Sequence, residues 1–369
     1  MKAIQFGSCI LAVCCTATLF AADAISGAQA QSWNEKAAAA YLDGRFNWWT
    51  TWPQTARDHD TFCISCHTAL PYAMARPALR PALGEQGPSV LEHKLLDNVL
   101  KRVRMWNEVE PFYPDATRGV PKTAESRGTE SILNALILAR YDSVAGSLTA
   151  DTRLALDNMW AQQLQSGETK GAWMWLQFHN QPWEGDSQYW GSTLAALAIG
   201  IAPQDYRSTP NIQEKLRALR EYLVRERDSQ TLINRVILVW ASTKVPGILT
   251  PAEQQAIVKE ALAKQQPDGG FSLSGMVGDW KRRDNTPLAP QSDGYATGVV
   301  TLVLQEVGAG PYQSQLNRGL SWLKLNQDST EGRWLAYSLN KERDLSSDVG
   351  HFMSDAATAY AVLALTRAK

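Results

Sequence analysis

Two kinds of helical segment alternate along this chain. In the first kind, apolar and small residues follow one another almost without a break. Such runs occur at Thr68-Ala69-Leu70-Pro71-Tyr72-Ala73, Ser131-Ile132-Leu133-Asn134-Ala135-Leu136 and Tyr189-Trp190-Gly191-Ser192-Thr193-Leu194. They recur at Leu232-Ile233-Asn234-Arg235-Val236-Ile237, Gly294-Tyr295-Ala296-Thr297-Gly298-Val299 and Ala356-Ala357-Thr358-Ala359-Tyr360-Ala361. Most steps between them are about sixty residues, the mark of a repeat. In the second kind, apolar positions fall at helical spacing among polar ones, as in Leu95, Val99, Val103 and Trp106. These amphipathic helices are predicted at 90–108, 150–166, 211–227, 251–265 and 313–325, with an irregular first member near 33–42. Thr250 followed by Pro251 and Glu253 is a helix-start signal for one of them.

Helices apolar on every side belong in a centre, and one-sided helices belong around it. Strand signals are sparse. The pattern therefore predicts an all-α fold, an (α/α)6-type toroid of about six helical hairpins, as one domain over residues 31–369. An open helical solenoid is the alternative that the repeat pattern alone leaves.

The loops add a sharper pattern. Arg318-Gly319-Leu320-Ser321-Trp322-Leu323 continues through Gln327 to Gly332-Arg333-Trp334. A second copy joins Trp160-Ala161, Gln165 and Gly171-Ala172-Trp173, and a degenerate third is Gln266-Pro267-Asp268-Gly269-Gly270-Phe271. A Gln at one helix end can bond the open backbone groups of the next helix, and a Trp two residues after a Gly can pack over that amide. The full copy resembles the QW motif of the terpenoid cyclases, the family of squalene–hopene cyclase. The resemblance implies a closed toroid whose inner helices open at their N-terminal ends on a central cavity. It does not bring the cyclase reaction with it. The family's D-x-D-D acid has no counterpart, since Asp186-Ser187 and Asp348 with Asp355 do not match it. Protein prenyltransferase β-subunits share the toroid, but their zinc set of Asp, Cys and His cannot be mapped, because no cysteine lies beyond the first repeat.

Residues 1–30 read as a secretory signal peptide. Lys2 precedes an apolar run from Ile4 to Ala22, and Ala28-Gln29-Ala30 makes a small-x-small cleavage site. A periplasmic or secreted location is expected, and no stretch predicts an integral membrane protein. The formal net charge is −1, which gives no reason to expect a nucleic-acid partner.

Export sharpens the chain's cysteine pattern. Of its 5 cysteines, Cys9, Cys14 and Cys15 lie in the signal segment, and the other two stand in Cys63-Ile64-Ser65-Cys66-His67. C-x-x-C-H is the attachment sequence of haem c, in which two thiols bond the vinyl groups and the adjacent imidazole ligates iron. Cofactor-binding Cys63, Cys66 and His67, with His67 as ligand to the haem iron, are therefore expected. A disulfide between the thiols and a zinc site adding His59 are the alternatives. The distal ligand is unknown. His351 and Met353, just before the last inner helix, are weak candidates. His179 and Met174 are weaker, Met74 lies on the same helix as His67, and His93 reads as solvated.

Other chemistry-bearing residues have structural readings. Glu130, Asp186, Asp293 and Asp355 open inner helices, where a carboxylate favours the helix dipole. Their convergence at one mouth would instead make an acid/base site. Trp173 and Trp334 read as repeat packing, whereas Trp48, Trp49, Trp183, Tyr189 and Tyr295 are candidates for an aromatic wall around a ligand. Together these readings predict an exported monohaem c-type protein on a toroid, acting in electron transfer or haem-based redox chemistry. Its partners would be a redox protein or quinol system, and its cavity would suit a hydrophobic small molecule. The alternatives are a haem-free toroid enzyme, as a degenerate isoprenoid cyclase or a lyase, and a non-catalytic binding scaffold.

Overall fold

The computed structural model describes Met1 and residues 33–115, 122–178 and 187–368. Residues 33–369 group as one compact unit and residues 1–32 as another. Beyond Met1, the expected signal segment lies outside the described residues.

Helices alternate in the order the pattern predicts. The hairpins are α1 (Glu35–Thr51) with α2 (Ala69–Ala75), α3 (Val90–Arg104) with α4 (Lys122–Ala145), and α5 (Ala150–Ala161) with α6 (Ser187–Ile201). Then come α7 (Gln213–Glu226) with α8 (Leu232–Lys244), α9 (Pro251–Leu262) with α10 (Gly294–Val307), and α11 (Gln313–Leu325) with α12 (Phe352–Arg367). The even-numbered helices form the inner ring. Each packs on the next, and α12 packs on α2, so the ring closes rather than running on as a solenoid.

The two rings differ as their sequences require. From Gly294 to Leu304 every residue of α10 is buried. Its small residues set the spacing: a Cβ at Gly298 would lie 2.8 Å from the Ala361 amide of α12. On α3, by contrast, Leu95, Val99 and Val103 are buried while His93 and Lys94 are exposed. Capping boxes at Ser89/Glu92 and Thr250/Glu253 start α3 and α9. The first outer helix departs from expectation, since α1 is regular over Glu35–Thr51. Asn34 caps it by accepting from the Ala37 amide at 3.0 Å. Gly44 and the buried Arg45 interrupt its apolar periodicity, and that obscured it in the sequence.

The loop glutamines tie outer helices together. Gln327 Nε2 donates to the carbonyls of Gly332 and Asn34, each at 2.9 Å. In the second and third copies the tie is made by Gln163 and Gln265, not by Gln165 and Gln266. Gln163 donates to Gly171 and Lys215, and Gln265 to Gly269 and Gln315. The loops differ in length, so the Gln that faces the next helix shifts. Trp173 and Trp334 are buried within the repeat, and their indoles donate to the carbonyls of Met159 and Leu323, closing each loop onto its own outer helix.

Candidate functional site: an aromatic chamber between the first and last hairpins

Between α1 and α2 the chain makes a small hairpin of β1 (Ala56–Arg57) and β2 (Thr61–Phe62). His59 and Asp60 at its tip both take positive φ, 53° each. The segment that follows is pinned at nearly every residue. Asn98 of α3 bonds both backbone groups of Phe62, at 2.8 and 3.1 Å. The Trp49 indole donates to the Cys63 carbonyl at 2.7 Å. Ser65 Oγ accepts from the amides of Thr68 and Ala69 at the start of α2. Ser65, one of the two residues between the cysteines, thus takes up open backbone amides at the start of α2, a role that the motif alone did not reveal.

Cys63, Cys66 and His67 all line one cavity of about 260 Å³. Trp49, Trp52 and Phe352 form one wall, and Tyr113, Trp175 and Phe178 contribute another. Arg343 supplies a cation. Among the described residues, none that lines it is a carboxylate. The His67 ring stacks face to face on Phe352, with centroids 3.8 Å apart, and meets Trp49 edge-on at 5.1 Å. A face stack leaves the ring's edge uncovered by Phe352, and Nδ1 on that edge lies 2.9 Å from Thr68 Oγ1.

Burial sets the protonation states here. It pushes the Cys63 thiol up to about 11, so this sulfur is a neutral thiol at ordinary pH. Burial, helped by the charges of Arg45 and Arg343, lowers His67 to about 3, so its imidazole is neutral. A thiol held neutral in this way is not activated as a nucleophile. A neutral thioether needs no charge and suits the Cys63 site. Among the described residues no three His, Cys, Asp or Glu side chains group to hold a metal, and His59 is exposed and paired with Asp58 at 2.9 Å, so the zinc alternative is not assembled. No disulfide joins Cys63 and Cys66.

The residues around the motif fall as follows. His351 and Met353 do not line the chamber, whereas Phe352 between them does. His351 lies beside Tyr41, with ring centroids 6.1 Å apart, and Met353 is buried in the core. Met74 lines a separate apolar pocket with Leu136 and Trp240. The Met174 backbone packs against Gly128, and His93 is exposed on α3. His179, Trp183 and Asp186 lie outside the described residues. Trp48 stacks on Trp52 at 5.0 Å behind the chamber wall, and Tyr189 donates to the Leu223 carbonyl.

Among the described residues the acidic positions do not make an acid/base cluster, and Glu130, expected to open an inner helix, lies inside α4. Glu130 pairs with Arg102 in the core. Asp293 accepts from the amides of Ala296 and Leu273. Asp355 accepts from Arg45, Tyr41 and Thr68. Sequence reasoning missed Tyr113, Phe178, Arg343 and Phe352 as lining residues. They sit in or beside loops, where no periodicity marks a face.

No protein-family model matches the chain, and no curated protein matches it. Solved structures do. One is an inactive variant of the α-1,6-mannanase of Salegentibacter sp. HEL1_6 in complex with α-1,6-mannotriose, similar over 89% of this chain and 100% of that one, at 13% identity and TM-score 0.51. Another, described as a wild-type glycosidase, matches over 90% of this chain and 98% of its own at 12% identity and TM-score 0.50. At that identity the likeness establishes the all-helical toroid. It also corrects two expectations. These toroids are glycosidases rather than terpenoid cyclases or cytochromes, so the expectation of an electron-transfer or haem-redox protein is overturned. Among the described residues no helix is long and apolar enough to cross a membrane.

Proposed function

We propose that this chain is an exported toroid enzyme that works on a flat, largely apolar ligand in the aromatic chamber. One observation carries the reading: among the described residues a neutral imidazole, two sulfurs and one arginine face a cavity whose other lining residues are mostly aromatic or aliphatic. Aromatic walls favour a planar or apolar body, and Arg343 suits an acidic substituent on it. His67, held neutral, offers a nitrogen lone pair that can accept a hydrogen bond or ligate a metal.

The glycosidase chemistry of the structural neighbours is not carried over. Glycoside hydrolysis ordinarily needs two carboxyl groups flanking the scissile bond, and among the described residues none lines this chamber.

Haem c is the cofactor proposed for the site. The donor set fits it: two cysteines three positions apart and the following histidine line one apolar cavity, and the more buried thiol is uncharged. Cys63 and Cys66 would hold the group through thioethers and His67 would face its metal. Bound there, it would supply an iron centre beside the aromatic wall. The chain's own residues do the rest. The walls exclude water, Arg343 orients an anionic edge, and Ser65 and Trp49 hold the anchoring segment in place.

Peptide mapping by mass spectrometry of the exported chain tests the cofactor. A tetrapyrrole on the Cys63–Cys66 peptide is expected, and unmodified cysteines from a host with c-type maturation would exclude it. Turnover assays then test the substrate class. Release of mannose from α-1,6-mannan, lost on filling the chamber with Leu176→Trp, would replace the apolar-ligand reading with a carbohydrate one.

A further inference from the structure

His67 is joined to the last inner helix by two hydrogen bonds in series. Its Nδ1 lies 2.9 Å from Thr68 Oγ1, and Thr68 Oγ1 lies 2.6 Å from Asp355 Oδ2. The other carboxylate oxygen of Asp355 accepts from Arg45 Nε and from the Tyr41 hydroxyl, both at 2.8 Å. Thr68 and Asp355 are both buried, with side-chain exposure of only 8% for Arg45 and 1% for Asp355.

Counting protons fixes the direction of the chain. Burial raises the Asp355 carboxyl, but the Arg45 charge and the hydrogen bonds from Arg45, Thr68 and Tyr41 oppose it, and with donors at both of its oxygens it is held as an ionised acceptor. Thr68 has a single hydroxyl proton, and Asp355 takes it. The Thr68 oxygen must then accept from its other neighbour, which is His67 Nδ1. The neutral imidazole therefore carries its proton on Nδ1, and Nε2 is left as the nitrogen with the lone pair.

We propose that Thr68 and Asp355 are positioning residues that fix the tautomer and ring orientation of His67, so that the chamber's imidazole offers Nε2 as an acceptor. The inference rests on the reading of His67 as the working group of the chamber. It adds that the first hairpin receives its chemical orientation from the last one. Asp355 belongs to α12, and Tyr41 and Arg45 belong to α1, so the relay is complete only in a closed ring. It also gives the acidic start of α12 a task beyond the helix dipole.

The test is the ring-nitrogen NMR spectrum of the full chain labelled with 15N-histidine and made without c-type maturation, so that the tautomer is read separately from any attached group. A protonated Nδ1 and an unprotonated Nε2 for His67 are expected. Thr68→Val should abolish that preference, and Thr68→Ser should restore it. A merely structural threonine would leave the tautomer unchanged in the valine variant. Nε2 protonation in the unaltered chain overturns the proposal without any variant, even if Thr68→Val does not fold. The correct tautomer together with unmodified cysteines after export would remove the cofactor and leave the relay standing.

Discussion

The Gln327 side chain and the Asn34 backbone exchange two hydrogen bonds across a sequence separation of 293. Gln327 Oε1 accepts from the Asn34 amide at 2.6 Å, and its Nε2 donates to the Asn34 carbonyl at 2.9 Å. This pair joins the loop after the last outer helix to the start of the first, so it acts as the clasp of the outer ring. Gln327→Ala should lower unfolding stability by about 1–3 kcal/mol, measured by urea denaturation. Gln165→Ala, whose side chain reaches only the Gln163 carbonyl at 2.8 Å, should cost less.

The same clasp requires a glycine. Gly332 has φ +79°, and a Cβ there would lie 2.4 Å from the Ala37 carbonyl oxygen of α1. Gly84 has a similar φ of +72° with nothing within 4 Å. Gly84→Ala should therefore show the backbone cost alone, roughly 1–2 kcal/mol. Gly332→Ala should show that cost plus the displacement of α1, and thermal melts of the two variants should separate clearly.

Arg102 and Glu130 form an ion pair with both side chains fully buried. Arg102 also donates to Thr61 Oγ1 at 2.7 Å, which holds the hairpin that leads into Cys63. Arg102→Met strands a buried carboxylate and should destabilise the fold by about 3–5 kcal/mol. Arg104→Met removes an exposed pair with Asp151 and should change stability little. Parallel denaturation curves check both.

Burial raises the Asp293 carboxyl from 3.8 to about 7. The folded chain therefore keeps this proton over a range where the unfolded chain has released it. The stabilisation is fully present below about pH 4 and is lost as pH rises toward 7, a change on the order of 4 kcal/mol. Asp293→Ser retains a side-chain acceptor for the Ala296 amide and cannot titrate. Its stability should fall less between pH 4 and 7 than that of the unaltered chain, measured by denaturant midpoints across that range.

Much of the ring was legible because its two helix classes have different solvents. A helix packed on all sides leaves no polar stripe, and the runs at Ser131–Leu136 and Gly294–Val299 have none. The chamber was legible only in part. The cysteines and His67 are contiguous in sequence, so their meeting needed no fold. Arg343 and Phe352 join them through closure of the ring, a contact of the chain's beginning with its end that no local pattern encodes. The glutamine ties were misassigned by one or two positions because each depends on where its helix ends, which is the least sharply encoded feature of a helix. The electron-transfer expectation failed on a different ground. The motif speaks to attachment chemistry, whereas the fold's solved relatives perform other reactions.

The central claim is that the chamber between the first and last hairpins is the working site for a flat apolar ligand. The most direct test is a fluorescence titration of the chain, made without c-type maturation, with 8-anilinonaphthalene-1-sulfonate, whose aromatic body and anionic edge match the walls and Arg343. Saturable binding to one site is predicted, weakened by Arg343→Glu and abolished by the chamber-filling Leu176→Trp. Binding that is unchanged when the chamber is filled, or no saturable binding at all, would contradict it.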